Sequence, residues 1–350
     1  GRERERARMA SLEDEAAEPR ALPEQQQVDV VELDGLVVLN IIRHCQEALP
    51  SFVTGQLLGL DIGRTLEITS SFPFPSKAED AEAGGDDDED GEDYQIEMMR
   101  CLRDVNVDSN TVGWYQSTYF SSFIEESCIE TQFNYQENIK NCVVIIYDPS
   151  RTRATGMALR AFRLTDSFMS LYREGHFTLS SLAEANLATS DVFQELPIKV
   201  RNSHMSSALL LELQDECGIK ANAADFQRLE LHTNPFLEKQ MQLLIECTDD
   251  MQQESIKLQY YERNSQRQKA AQQQYLAKKK AEKAAKLLKG EAIVEEDLSA
   301  NPLFKPIQQP SRLESLLIAN QMQAYCQQIN QFTGQSFAKL FLMQSLNEKA

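Results

Sequence analysis

Four histidines, His44, His176, His204 and His232, are the only imidazoles in 350 residues. No two stand within six positions of each other, so neither the HxH nor the HExxH spacing of a zinc site can be written. Glycine-rich phosphate cradles of the GxxxxGK[ST] or GxGxxG type are absent, as is a GxSxG nucleophile elbow. Seven cysteines, Cys45, Cys101, Cys128, Cys142, Cys217, Cys247 and Cys326, form no CxxC pair and are odd in number. They read as reduced, inert thiols of a cytosolic protein rather than as a disulfide framework. The one segment with unusual composition is Val112 to Tyr119, VGWYQSTY, which holds the sole tryptophan. Its plainest reading is a core strand in which Trp114 supplies buried area.

The elements around that strand follow from periodicity. Length predicts about two domains, and 42% hydrophobic residues supply enough apolar surface for a core. The runs Val53 to Ile62 and Leu66 to Phe72 flank Asp61-Ile62-Gly63-Arg64 and predict a hairpin. Val28 to Leu49 reads as β-branched alternation running into a helix with Leu36, Leu39, Ile42 and Cys45 on its buried side. Further on, a helix is predicted over Tyr94 to Val107, a strand over Thr111 to Tyr119, a helix over Phe123 to Ile139, and strands over Cys142 to Tyr147 and Met157 to Leu164. Strands and helices alternate, so the fold class is α/β with a mixed sheet flanked by helices.

The charge is uneven. The formal net charge is −19, which argues against a surface that binds nucleic acid everywhere. Residues 79–93 carry ten carboxylates and no cation and predict a disordered acidic loop. Residues 1–26 read as a charged leader with no secretory signal, and no apolar run reaches the ~20 residues of a membrane span. The expected organisation is a leader at 1–26, an α/β domain at 27–200, a helical region at 201–290, a Pro-rich linker at 291–310 and a last helix at 311–350.

In the helical region, Asn234-Pro235 suits a helix start. Leu237, Met241, Leu244, Thr248, Met251, Ser255 and Leu258 step by four and three, a seam that needs a partner helix and fades beyond Tyr261. From Lys257 to Lys289 there are ten Lys or Arg against two Glu, with Tyr260, Tyr261 and Tyr275 interleaved. That tract is a solvated helix or an RNA-binding arm. In the last helix Ile318, Met322, Tyr325, Ile329 and Phe332 form a second stripe, followed in a new phase by Phe337, Leu340 and Phe341. These seams are expected to need partners outside the chain.

GWYQST resembles the GWYHSH segment of the MPN domains, the fold of the JAMM-type zinc isopeptidases, and Val53-Thr54-Gly55-Gln56-Leu57-Leu58-Gly59 resembles the glycine-bracketed strand preceding it there. The resemblance implies an MPN domain. In catalytic members two histidines at i and i+2, a downstream Asp and a water hold zinc, and an upstream Glu is the general base. The histidine places here hold Gln116 and Thr118. The aspartate place falls at Ile129 by ungapped spacing, or at Cys128 with one residue missing, and the glutamate place is Phe52. An amide, a hydroxyl and two apolar side chains supply neither ligands nor a base, so the resemblance is to a catalytically inactive member with no metal and no cofactor.

Among inactive members the sequence is similar to the family of h subunits of eukaryotic translation initiation factor three. The matching runs are DGLVVLNIIRHC at 34–45, TGQLLGLD at 54–61, LEITSSFPFP at 66–75, YQIEMMRCLRDVNVD at 94–108, NYQENIK at 134–140, IIYDPS at 145–150, LQYYERNSQRQ at 258–268 and PSRLESLLIANQ at 310–321. The resemblance implies a cytoplasmic, non-enzymatic scaffold subunit that works on the small ribosomal subunit in mRNA recruitment and scanning. It also implies pairing of the MPN domain with a second MPN protein, the f subunit, and entry of the C-terminal helices into a multi-subunit bundle, with Leu237, Met241, Leu244, Met251, Leu258, Ile318, Met322, Tyr325, Ile329 and Phe332 as partner-binding residues. The alternatives are an inactive MPN scaffold of a proteasome-lid or signalosome-type complex and, with its ligands missing, a zinc-dependent isopeptidase.

Overall fold

The computed structural model describes residues 27–75, 87–105, 108, 110–151, 158–217, 235–289, 304–305 and 307–347. Eight strands form one mixed sheet: β1 (Val30–Asp34), β2 (Thr54–Ile62), β3 (Thr65–Pro73), β4 (Thr111–Ser117), β5 (Val143–Tyr147), β6 (Leu159–Leu164), β7 (Phe193–Leu196) and β8 (Ile198–Arg201). Their spatial order is β7-β6-β5-β4-β2-β3-β1-β8. β1 runs parallel to β3 and β8, β4 runs parallel to β5, and the other pairs are antiparallel. The expected hairpin is β2–β3, turned by Gly63 at a φ of 67° that favours glycine. β7 and β8 are the two edges of the sheet, yet only Pro197 separates them in sequence. The sheet therefore curls until its edges meet, and the Pro197 carbonyl accepts from the Val31 N–H at 3.0 Å. A residue without an N–H is tolerated at that junction, since it sits between strands rather than within one.

The helices are α1 (Gly35–Glu47), α2 (Asp87–Asp104), α3 (Glu126–Asn138), α4 (Asp166–Glu174), α5 (Leu179–Glu184), α6 (His204–Cys217), α7 (Pro235–Lys289) and α8 (Leu313–Asn347). Asp34 caps α1, its carboxylate accepting from the Leu36 N–H at 3.1 Å. The buried side of α1 is Val37, Val38, Ile41 and Cys45. This corrects the expected face: Leu36 and Leu39 are 62% and 63% exposed. Both faces of this helix are apolar in sequence, and the sheet takes the one carrying the β-branched residues. α2 begins at Asp87, seven residues before the expected Tyr94, so the last part of the acidic run is helical rather than loop. Carboxylates suit the amino end of a helix, where the backbone dipole is positive. The leader at 1–26, the remainder of the acidic run up to residue 86, and Asn234 lie outside the described residues.

One face of the sheet packs on α1 through Val31, Leu33, Leu57, Ile68, Tyr115 and Ile145. The other face packs Trp114, Val144, Ile146 and Phe162 against Ile129 and Phe133 of α3 and Phe168 of α4. That second core also takes in Leu313, Leu316 and Leu317 from the start of α8. The tail was expected to lack a partner within the chain; instead, the beginning of α8 is part of the domain's own core.

The seam of α7 also departs from expectation. Leu237, Leu244, Met251 and Leu258 are half-buried as predicted, but the residues between them on the inner side are Gln240, Cys247, Glu254 and Tyr261, not Met241, Thr248 and Ser255. Met241 is 49% exposed. Steps of three and four, and of four and three, both satisfy a heptad count, and the polar members of the true seam concealed its phase. Nor does the seam end at Tyr261. Gln268 donates from Nε2 to the Lys305 carbonyl at 2.6 Å, and the Tyr275 and Phe304 rings lie 5.9 Å apart. Phe304 and Lys305 thus lie as a strap along the distal part of α7, ahead of α8.

Candidate functional site

The four positions that would carry zinc chemistry lie around the end of β4, and each is engaged in structure. Gln116 pairs with Thr54 of β2 and Ile146 of β5. Ser117 is buried, and its Oγ accepts from the Val53 N–H at 2.8 Å. Thr118 is 1% exposed and its hydroxyl donates to the Ser122 carbonyl at 2.9 Å, so the oxygen is spent on closing the following turn. Ile129 is fully buried on α3 in the core that holds Trp114. Phe52 is 62% exposed and its ring lies 5.5 Å from that of Tyr119. Glu130, beside the aspartate place, is exposed. Cys128, the alternative ligand position, is buried, and desolvation first and Glu125 second push its thiol up to about 12. Among the described residues no group of three His, Cys, Asp or Glu could hold a metal ion. A zinc ion does not fit this donor set.

What the corner does have is a dense set of contacts with the tail. Phe120 and Ser121 adopt left-handed conformations, at φ 55° and 58°. Such backbone persists in non-glycine residues where surroundings over-determine it. Asp148, buried after β5, accepts from the Ser121 N–H at 2.8 Å and from the N–H groups of Ser150 and Arg151 at 2.9 and 3.1 Å. From α7, Gln240 donates to the Phe120 carbonyl at 3.2 Å, and Phe236 sets its ring 5.6 Å from Phe120. From α8, Gln321 donates to the Ser121 carbonyl and accepts from the Ile124 N–H. Tyr325 completes the set: it is 1% exposed, and burial raises its hydroxyl pKa. Its expected role as a partner-binding residue is therefore corrected, since its ring is used within the chain. Asp148, Gln240 and Gln321 were missed because a carboxylate after a strand and two glutamines on helices carry no periodic signal. The only trace was Asp148-Pro149-Ser150, which marks a strand end.

Two family patterns match. The one described as the C-terminal region of eIF3h matches residues 152–350, and the one described as JAB1/Mov34/MPN/PAD-1 ubiquitin protease matches residues 26–141. The H subunit of eukaryotic translation initiation factor 3 from Arabidopsis thaliana is 51% identical over 319 residues, covering 91% of this chain and 93% of that protein. Its counterpart from Dictyostelium discoideum is 44% identical, covering 92% and 95%, and the H-A form from Danio rerio is 41% identical, covering 98% and 100%. The chain belongs to the H-subunit family of eukaryotic translation initiation factor 3. Its N-terminal part is an MPN domain of α/β type and its C-terminal part a long helical region.

Among the described residues α6 exposes Met205, Leu209, Leu210, Leu211 and Leu213, and two further apolar surfaces are open. One is α1, through Leu36 and Leu39. The other is the end of α8, where Phe337, Leu340, Phe341, Leu342, Met343 and Leu346 are between 45% and 69% exposed. Ile318, Met322, Ile329 and Phe332, earlier on α8, are half-buried. No helix among the described residues is long and apolar enough to cross a membrane.

Proposed function

We propose that the chain is a non-enzymatic scaffold component of the eukaryotic translation initiation factor 3 complex. In this reading it is a cytoplasmic protein that supports assembly of the preinitiation complex, with mRNA recruitment and scanning, on the small ribosomal subunit. The observation that carries the proposal is the commitment of Thr118 to a hydrogen bond in the turn and of Ile129 to the core, with an apolar Phe52 in the place of the base, where catalytic relatives need ligands and a base. Such a domain offers surfaces rather than chemistry. Leu36 and Leu39 suit the pairing with a second MPN protein, the f subunit, and the apolar end of α8 suits a bundle of helices from several subunits. The half-buried Leu237, Leu244, Met251, Leu258, Ile318, Met322, Ile329 and Phe332 would line the hairpin that presents that end, and Met241 would face outward.

The rival reading, a zinc-dependent isopeptidase, has one observation in its favour, the match of residues 26–141 to a family described as a ubiquitin protease. Against it stands the donor set. The test is purification of the native complex through this chain, with mass spectrometry of its partners, zinc analysis and incubation with ubiquitin chains. Co-purification with initiation factor 3 subunits, substoichiometric zinc and intact ubiquitin chains are expected. One zinc per chain with cleavage abolished by chelation would overturn the reading, and recovery with proteasome-lid or signalosome subunits would reassign the scaffold.

A further inference from the structure

The distal part of α7 has an organised outer face. Tyr260, Arg263, Arg267, Gln274 and Lys278 are separated by three, four, seven and four residues, which keeps them on one side of an α-helix. The side that packs inward holds Tyr261, Gln268 and Tyr275, about a third of a turn away, where the strap through Lys305 and Phe304 lies. Tyr260 is 68% exposed, and its ring stacks on no other aromatic ring among the described residues. Arg263, Arg267 and Lys278 are exposed and make no ion pair among the described residues. Between Tyr260 and Lys278 the stripe contains no carboxylate, since Glu262 lies on another side, and Glu282 comes one turn beyond Lys278. In an acidic protein such a cationic row beside an exposed ring is a departure from the general surface.

We propose that this stripe binds single-stranded RNA, with Arg263 and Arg267 against neighbouring phosphates, Lys278, about 16 Å further along the helix, against a phosphate further down the strand, and Tyr260 stacked on a base. Cations alone suit any polyanion. The ring is what selects a single strand, because a base can stack on tyrosine only when it is released from a duplex. The guanidinium groups at Arg263 and Arg267, one turn apart, match phosphate oxygens with paired donors. The inference is independent of the scaffold reading, which stands whether or not this face binds RNA.

The test uses the purified full chain and a labelled oligouridine of about twenty nucleotides, longer than the ~4–16 nucleotides such surfaces usually occupy. Affinity is measured by anisotropy across a salt series. Arg263→Gln with Arg267→Gln should flatten the slope of log K against log salt by about 1.4, or ~0.7 per phosphate. Lys269→Gln with Lys280→Gln removes the same charge from the other flank and should leave the slope unchanged. Tyr260→Ala should weaken binding about tenfold at an unaltered slope. Equal losses from the two double variants, an unaffected Tyr260→Ala, duplex RNA bound as tightly as the single strand, displacement by polyglutamate as effective as by RNA, or no binding at all would each overturn the proposal.

Discussion

Gln321 of α8 donates from Nε2 to the carbonyl of Ser121 at 2.8 Å, across 200 positions of sequence. The same side chain accepts from the Ile124 N–H at 3.3 Å, so one amide serves both strands of a turn. In a catalytic MPN domain this turn follows the zinc-binding strand. Here it is the docking platform of the helical tail, held in a left-handed conformation by groups that come from α7, α8 and the Asp148 loop. The tail and the corner that lacks the ligands are thus one structural unit.

Gln321→Leu keeps the volume and removes the clamp. It leaves a buried carbonyl and a buried N–H without partners, which costs on the order of 2 kcal/mol. Urea unfolding should show that loss, and amide exchange at residues 120–124 should accelerate more than exchange in β5. Unchanged exchange there would mean that Asp148 and Gln240 hold the turn without Gln321.

Much of this fold is legible from pattern. The β2–β3 hairpin, the strand around Trp114 and the buried β5 were found because β-branched runs and a glycine turn are local signals. The face of α1 was misread because Leu36 and Leu39 and the Val37, Val38, Ile41 set are both apolar, and only the sheet decides between them. The phase of α7 was misread because its inner positions include two polar residues, Gln240, which donates to the distant Phe120 carbonyl, and Glu254, which pairs with Lys257 on the same helix. Gln116 and Thr118 could be named from spacing, whereas what replaces the chemistry, a glutamine clamp from residue 321, has no local signature. The position of α8 in the domain core was likewise invisible, since Leu313, Leu316 and Leu317 look like any apolar helix start.

His44 makes stability depend on pH. Its Nδ1 lies 2.9 Å from the Tyr115 hydroxyl, and burial lowers its pKa below the usual 6.5 although Glu47 works the other way. The unfolded chain therefore binds a proton more readily than the folded one. Stability is full above the unfolded pKa and falls as pH drops through it. The urea midpoint should decline between pH 7 and pH about 5.5, and His44→Gln should flatten that part of the profile. A profile unchanged by the substitution would assign the decline to other groups.

Restoring the histidines should not restore a site. Thr118 is buried and hydrogen-bonded, so Thr118→His must displace the turn at Ser122. Gln116→His with Thr118→His is expected to destabilise the domain by about 1–3 kcal/mol through overpacking. It should bind zinc no better than micromolar by calorimetry, because Ile129 and Phe52 still supply neither a ligand nor a base. Tight zinc binding by the double variant would show that the corner retains more of the ancestral geometry than its hydrogen bonds indicate.

Two truncations separate the roles of α8. Ending the chain after Arg312 removes Leu313, Leu316 and Leu317 from the second core and exposes Trp114 and Ile129 to a gap. Burial of each leucine contributes about 1.5–3 kcal/mol, so this form should be strongly destabilised or aggregate. Ending it after Thr333 removes only the segment in which Phe337, Leu340, Phe341 and Leu346 are exposed. The intramolecular clamp through Gln321 and Tyr325 remains, and stability should change by less than ~0.5 kcal/mol. Co-purification with partner subunits should nevertheless fall sharply, because the lost surface is the apolar end that the described residues leave exposed. Loss of stability in the longer form would place that end inside the folded unit, and retained co-purification would move the partner surface to α1 and its Leu36 and Leu39.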